Sequence, residues 1–259
     1  MARVGAKVIR IDAFAEDTVR IPEAPARHAG AHALGERLPA RALPWRTGIR
    51  PRSLGTLAGR ALKRLADVLG AMALGVVFLP LILIVAVLLY LQGGAVVFRH
   101  RRIGRSGRPF DCLKFRSMVP DADRVLRELL ERQPQLQAEW YRDHKLRDDP
   151  RVTAIGRFLR RTSLDELPQL WNILRGDMSL VGPRPVVREE LMRYGRHVDR
   201  YVSVRPGITG LWQVSGRNEI DYRRRVVLDV YYVRRRGLQL DLYILLKTVH
   251  VVLGGKGAY

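Results

Sequence analysis

Residues 68–91 read VLGAMALGVVFLPLILIVAVLLYL, 24 residues without a single charged side chain. As a straight helix this run would be about 36 Å long, enough to cross the roughly 30 Å hydrocarbon core of a bilayer. Two features argue for a different path. Pro80 falls in the middle, where it removes a backbone hydrogen bond and crowds the preceding turn. Both flanks are basic, with Arg60, Lys63 and Arg64 before the run and Arg99, Arg101, Arg102 and Arg105 after it. Clusters of Lys and Arg favour the cytoplasmic side, so two clusters place both ends there. The pattern predicts a helix broken at Pro80 into halves of roughly 18 Å, each entering about one leaflet and returning. That reading stands slightly ahead of a single span, and well ahead of a core hairpin in a soluble protein.

Outside this run the chain is strongly cationic. Its 259 residues carry a formal charge of +21, and the first 66 and last 161 residues contribute +8 and +14 of it. Basicity on this scale implies an anionic partner: nucleic acid, a phosphorylated small molecule or an acidic membrane surface. The single cysteine, Cys112, excludes an intramolecular disulfide and a cysteine-based zinc cluster. It fits a reducing compartment. The six histidines show no ligand spacing such as H-x-x-x-H, so none is assigned to a metal.

Residues 1–50, rich in Ala, Arg, Pro and Gly, are expected to form a disordered basic tail, and no apolar core of a secretory signal stands near their start. Residues 51–98 hold the juxtamembrane and re-entrant helix, and 99–259 a polar catalytic domain. Within that domain FRHRRIGRSGRPFDCLKFRSM has Gly-rich turns followed by a short strand-like run. Residues 121–145 have a helical pattern charged all round, as in a solvated helix. PGITGLWQVSGR, residues 206–217, reads as a hairpin or turn-rich strand pair. QLDLYILLKTVHVVL, residues 239–253, is either a core helix or one lying at a membrane interface. Asp148 and Asp149 before Pro150 read as turn residues, the RRR triplets at 223–225 and 234–236 as solvated or lipid-facing surface, and the tyrosines and Trp212 as core or interface. The fold class expected is α+β, mainly helical, membrane-anchored, with amphipathic interfacial helices and a small β-hairpin region.

The stretch SLDELPQLW, residues 163–171, sets two adjacent carboxylates, Asp165 and Glu166, among arginines. One reading is purely structural. Ser163 and Glu166 match a capping box, or Asp165 is itself the N-cap with Pro168 in the first turn. Leu164, Leu167, Leu170, Trp171 and Leu174 then form an apolar helical stripe. The other reading is chemical. Lys114, Arg116, Arg160, Arg161 and Arg184 fall in segments able to converge on a pocket, and guanidinium forks suit phosphate oxygens. A helix N-terminus adds a further phosphate seat and stabilises an ionised carboxylate, a nucleophile or metal ligand. Paired carboxylates with a divalent cation suit phosphoryl transfer. On spacing alone the cap reading stays ahead.

KFRSM (114–118), LRRTSLDELPQLWNILRGDMSLVGPRP (159–185) and RPGITGLWQVSGRN (205–218) together resemble the bacterial sugar transferase family, the monotopic polyprenyl-phosphate phosphoglycosyl transferases. The resemblance covers residues 58–259, including the apolar run with its central proline. It implies that Asp165 is the nucleophile toward the β-phosphate of a UDP-sugar, releasing UMP and holding the sugar phosphate covalently until undecaprenyl phosphate accepts it. It implies Glu166 as the neighbouring acid, assisting proton transfer or Mg2+ positioning, with Asp165 and Glu166 as metal ligands. Lys114, Arg116, Arg160, Arg184, Arg217 and Asn218 would bind phosphates or nucleotide, and Pro80 would break the membrane helix. The implied setting is the cytoplasmic face of a bacterial inner membrane, with anionic lipids as partners and no nucleic acid; a homo-oligomer is allowed. GLWQVSGR and the terminal GAY lean toward exopolysaccharide-type members that pass on a hexose phosphate, galactose or glucose. The chain looks like a minimal catalytic form without the additional upstream helices of some members. A nucleic-acid module with interleaved aromatics is not found. A non-catalytic scaffold would be expected to lack the acid pair or the GPRP arginine.

Overall fold

The computed structural model describes residues 57–143, 146, 149–216 and 220–254. The expected tail over 1–50, together with Arg217, Asn218 and Asp148, lies outside the described residues. The apolar run forms one helix, α1 (Leu57–Leu91), of 35 residues and about 52 Å. It runs through Pro80 without interruption, so two separate half-helices are not what forms. The reason is local: proline removes the one hydrogen bond that the Val76 carbonyl would accept, which permits a bend while the surrounding Leu, Val and Ala keep the helix continuous.

Both ends of α1 are tied to the same polar body. Near its start, Arg64 donates to the carbonyls of Ile173 at 2.6 Å and Leu174 at 2.9 Å. One carboxylate oxygen of buried Asp67 accepts from Lys63 at 2.8 Å, Ser179 Oγ at 3.0 Å and Leu180 N at 3.0 Å. Near its end, Val85 and Leu89 pack on Phe115 and Leu159, and Arg116 donates to the Leu89 carbonyl at 3.1 Å. Between these ties Val76 and Val77 are 73% and 70% exposed.

The hairpin lies earlier than the glycine pattern of 206–217 predicts. Strands β1 (Val97–Ile103) and β2 (Pro109–Phe115) pair antiparallel around a tight turn in which Ser106 and Gly107 have positive φ, and the register sets Phe98 opposite Lys114. Helices α2 (Ala122–Arg132) and α3 (Pro134–Asp143) follow, split just before Pro134, and α2 buries no residue, as its all-round charge implies. Helix α4 (Ala154–Thr162) starts at Thr153, whose hydroxyl accepts from Gly156 N at 2.9 Å. A 3-10 turn over Leu164–Glu166 leads to α5 (Gln169–Arg175) and β3 (Ser179–Val181).

Short helices α6 (Arg188–Leu191) and α7 (Val198–Val202) then return the chain to β4 (Gly207–Thr209), which pairs with β3 in parallel. Residues 206–217 thus supply one three-residue strand and turns rather than a hairpin. A Cβ on Gly207 would stand 2.1 Å from Gly182 N, so the GPRP and RPGITG segments pair at backbone-to-backbone distance that only glycine permits. Helices α8 (Tyr222–Arg235) and α9 (Leu238–Leu253) close the body. Its main core gathers Leu170, Ile173, Met178, Leu180, Leu211, Trp212, Leu228 and Ile244. Helix α9 is both alternatives at once: Ile244 is fully buried, while Leu242, Leu246 and Val249 are exposed.

Candidate active site

Strand β2 ends with Lys114 facing the 3-10 turn that follows α4. Lys114 Nζ lies 2.8 Å from Glu166 Oε1 and 3.2 Å from Asp165 Oδ2. The turn is made by Ser163, whose left-handed backbone (φ 58°) ends α4 and starts the turn, its N–H donating to the Arg160 carbonyl. The capping box expected from Ser163 and Glu166 does not form. Ser163 makes no side-chain cap bond, and the Glu166 carboxylate is held by Lys114. Asp165 is 6% exposed and does not cap α5, which begins after Pro168. Of the apolar stripe, Leu170 is buried and Leu164, Leu167 and Leu174 half-buried, but Trp171 stands exposed.

A cleft of about 1000 Å³ opens over this pair, lined by Lys114, Arg116, Arg160, Arg184, Asp165 and Glu166. The six residues therefore share one cavity, as their sequence segments foreshadow. Arg160 donates through Nε to Ser117 Oγ at 2.9 Å, which fixes the guanidinium and leaves its terminal nitrogens for a ligand. Arg184 lies over the Trp212 ring at 5.9 Å, with Arg225 over the same ring at 4.7 Å, so Arg225 is not mere solvated surface. The Tyr201 hydroxyl donates to the Arg184 carbonyl at 3.1 Å and accepts from Val186 N at 3.0 Å, clamping the GPRP strap. Arg116 lines the cleft too, but one of its nitrogens is committed to α1.

Electrostatics corrects one expectation. Burial raises the pKa of Asp165 above the ordinary carboxylate range; Glu166 adds to the rise, and Lys114 and Arg160 oppose it. The ionised form is thus held against desolvation by cations rather than favoured by a helix end. For Lys114, burial works against the charge, but Glu166 and Asp165 outweigh it and raise its pKa. Cys112, buried behind the site, has its thiol pushed up to about 11 by desolvation, so it offers no thiolate at neutral pH. The carboxylates are the nucleophiles this cleft offers. Among the described residues no group of three or more His, Cys, Asp or Glu gathers to hold a metal. Asp165 and Glu166 supply two adjacent hard oxygen donors at an open cleft, a set that fits Mg2+ completed by water and phosphate oxygens.

Ser117, Gly156 and Asn172 support the site without having stood out in the sequence. Ser117 sits inside KFRSM, between residues that did. Gly156 has its signal only in three dimensions, where a Cβ would lie 1.9 Å from the Ser117 carbonyl. Asn172 could be flagged only as a polar residue in an apolar helical stripe.

The bacterial sugar transferase family matches residues 58–255. The chain is 52% identical over 207 residues to the UDP-galactose-lipid carrier transferase of Erwinia amylovora, covering 80% of this chain and 43% of that protein. It is 50% identical over 207 residues to the undecaprenyl-phosphate galactose phosphotransferase of Salmonella typhimurium, covering 80% and 44%. It is 46% identical over 218 residues to the exopolysaccharide production protein ExoY of Sinorhizobium fredii, covering 84% of this chain and 94% of that protein. The chain therefore spans less than half the length of the first two and nearly all of the third.

Proposed function

The chain belongs to the bacterial sugar transferase family, and on that premise we propose that it transfers a hexose 1-phosphate, galactose or glucose, from a UDP-sugar to undecaprenyl phosphate. The observation that carries this reading is Lys114 bridging Asp165 and Glu166 in a cleft also lined by Arg160 and Arg184. Asp165 Oδ attacks the β-phosphorus of the donor. A new Asp–O–P bond forms, the bond from that phosphorus to the α-phosphate oxygen breaks, and UMP leaves. An oxygen of the acceptor phosphate then attacks the same phosphorus, the Asp–O–P bond breaks, and Asp165 is restored as its carboxylate.

The buried setting favours this chemistry. A carboxylate stripped of water is a stronger nucleophile if its charge is maintained, and Lys114 maintains it. Arg160 and Arg184 neutralise phosphate oxygens that would otherwise repel Asp165. Arg116 is the weaker phosphate ligand because it also holds α1, and Arg217 and Asn218 remain assigned to the nucleotide on the motif alone. Mg2+ held by Asp165 and Glu166 would neutralise diphosphate charge. Glu166 orients Lys114 and receives or returns protons at the cleft mouth.

A water-soluble donor and a membrane-confined acceptor require a site at the bilayer surface. The helix is apolar enough to enter a membrane. Its ties at Arg64 and Asp67 and at Leu89, all to one polar body, support a re-entrant path bending near Pro80, with the catalytic body on the cytoplasmic face and basic flanks on anionic head groups.

The test is UMP release by membranes or purified protein with a panel of UDP-sugars and Mg2+, with and without undecaprenyl phosphate, beside Asp165→Asn. We expect one hexose donor to give acceptor-dependent UMP and lipid-linked sugar, both lost in Asp165→Asn. Full activity in Asp165→Asn would remove Asp165 as the nucleophile.

A further inference from the structure

The cleft has two chemically distinct ends. One holds the cations around Asp165; the other is walled by Phe98, Ile208, Val214, Val251 and Val252. The polar groups between them are already satisfied. Thr248 donates to the Ile244 carbonyl at 2.8 Å and so accepts from the Thr209 hydroxyl, 2.7 Å away, which leaves this wall presenting methyl groups. Val251 and Val252 are the last turn of α9, whose outward face carries Leu242, Leu246 and Val249, exposed by 58%, 65% and 58%. An apolar strip therefore runs along α9 and turns into the cleft. At the other wall Phe98, 53% exposed, sits opposite Lys114 in the β1–β2 register, so aromatic surface borders the dyad directly.

We infer that this apolar end is the seat of the isoprenoid chain of the lipid phosphate acceptor, which leaves the cleft between Phe98 and the C-terminal turn of α9 and continues along α9 into the bilayer. The inference rests on the proposed reaction. The occupant follows from charge complementarity within one cavity. The cationic end takes a phosphate, and of the two reactants only the acceptor joins a phosphate to a long hydrocarbon. A nucleotide sugar would leave the methyl wall facing water, whereas an isoprenoid buries it, at about 25 cal/mol per Å² of apolar surface. The arrangement also lets the two reactants share the phosphate seat in turn while their remaining parts occupy different ends.

The test separates the half-reactions. Exchange of labelled UMP into UDP-sugar needs donor and enzyme only; sugar transfer needs the acceptor as well. In Val251→Asp and Val214→Asp, exchange is expected within about twofold of wild type, while KM for undecaprenyl phosphate rises at least about tenfold. The wild-type preference for undecaprenyl phosphate over dimethylallyl phosphate, whose five-carbon chain cannot fill the apolar end, is expected to shrink. Normal exchange with an unchanged acceptor KM would overturn the inference. Should a variant fail to fold, a photoreactive benzophenone residue at position 251 of the full chain in membranes answers instead. It is expected to form an adduct with undecaprenyl phosphate that the same probe at exposed position 192 does not, and equal labelling would overturn the inference. Absence of exchange in the wild type would overturn the reaction itself, a distinguishable result.

Discussion

Asn172 faces Leu113 across the edge of β2 and accepts its backbone N–H at 3.0 Å, while its own Nδ2 donates to the Asp111 carbonyl at 2.8 Å. One buried amide thus satisfies β2 as a neighbouring strand would. It docks α5, which follows the acid pair, on the strand that carries Lys114. In Asn172→Ala the Leu113 N–H and Asp111 carbonyl lose their partner, and a penalty of about 1–3 kcal/mol is expected. Asn172→Asp keeps an acceptor but sets a carboxylate against the Asp111 carbonyl and near Asp177, so it should rescue nothing. Thermal unfolding in detergent measures this, and a wild-type midpoint in Asn172→Asp would show that the amide donor is unimportant.

Gly156 is expected to tolerate no side chain. The Cβ of Gly156→Ala would overlap the Ser117 carbonyl, a backbone atom that cannot swing aside, so α4 must move. Overpacking of this kind costs about 1–3 kcal/mol. Because Arg160 and the turn of Asp165 hang on α4, donor turnover of the folded fraction should fall with stability. Gly75→Ala is the internal control: its Cβ meets nothing within 4 Å, so neither stability nor turnover should drop.

Asp229 predicts a pH dependence of stability away from the cleft. It is buried, accepts from the Tyr194 hydroxyl at 2.7 Å, and desolvation raises its pKa to about 8. The folded state keeps this proton where the unfolded chain, with an aspartate near 3.9, has lost it. Its contribution is therefore fully present below about pH 4 and is lost as pH rises through about 8, with a slope of up to about 1.4 kcal/mol per pH unit. Asp229→Asn keeps an oxygen for Tyr194 and should flatten the thermal midpoint between about pH 5 and 8. An unchanged slope in that variant would assign the effect elsewhere.

The comparison of sequence and fold turns on range. The apolar run and its basic flanks were legible because one dimension holds all the information. The convergence of Lys114, Arg160, Asp165 and Arg184 was legible as chemistry, through residue types suited to phosphate. How they converge was not. Ser163 enters the left-handed region to fold the turn back, which a capping-box spacing cannot reveal, since the same residues serve either geometry. Nor does PGITG disclose that its partner is the SLV of β3 rather than its own downstream residues, because parallel pairing is set by helices that intervene. Pro80 was read as a break, yet one missing hydrogen bond in a long run of strong helix formers leaves the helix continuous. The rise in the pKa of Asp165 is legible only from burial, which no local pattern states.

Lys114 offers the sharpest test of how the acid pair is kept reactive. Asp165 must be ionised to act, and its raised pKa places the acid limb of UMP release at higher pH than an ordinary aspartate would give. Lys114 is the largest of the influences that pull this pKa back down. In Lys114→Gln the countercharge is gone, Asp165 and Glu166 face each other uncompensated, and the acid limb should move to still higher pH. The plateau rate should fall at least about tenfold, corresponding to about 1.4 kcal/mol of lost transition-state stabilisation. Lys114→Arg retains the charge and is expected to keep the limb near its wild-type position while losing rate through altered reach. The pH profile of UMP release with saturating donor separates the two effects. A limb that stays in place in Lys114→Gln would mean that Asp165 draws its ionisation from Arg160 or from a bound cation, and that Lys114 serves the phosphate alone.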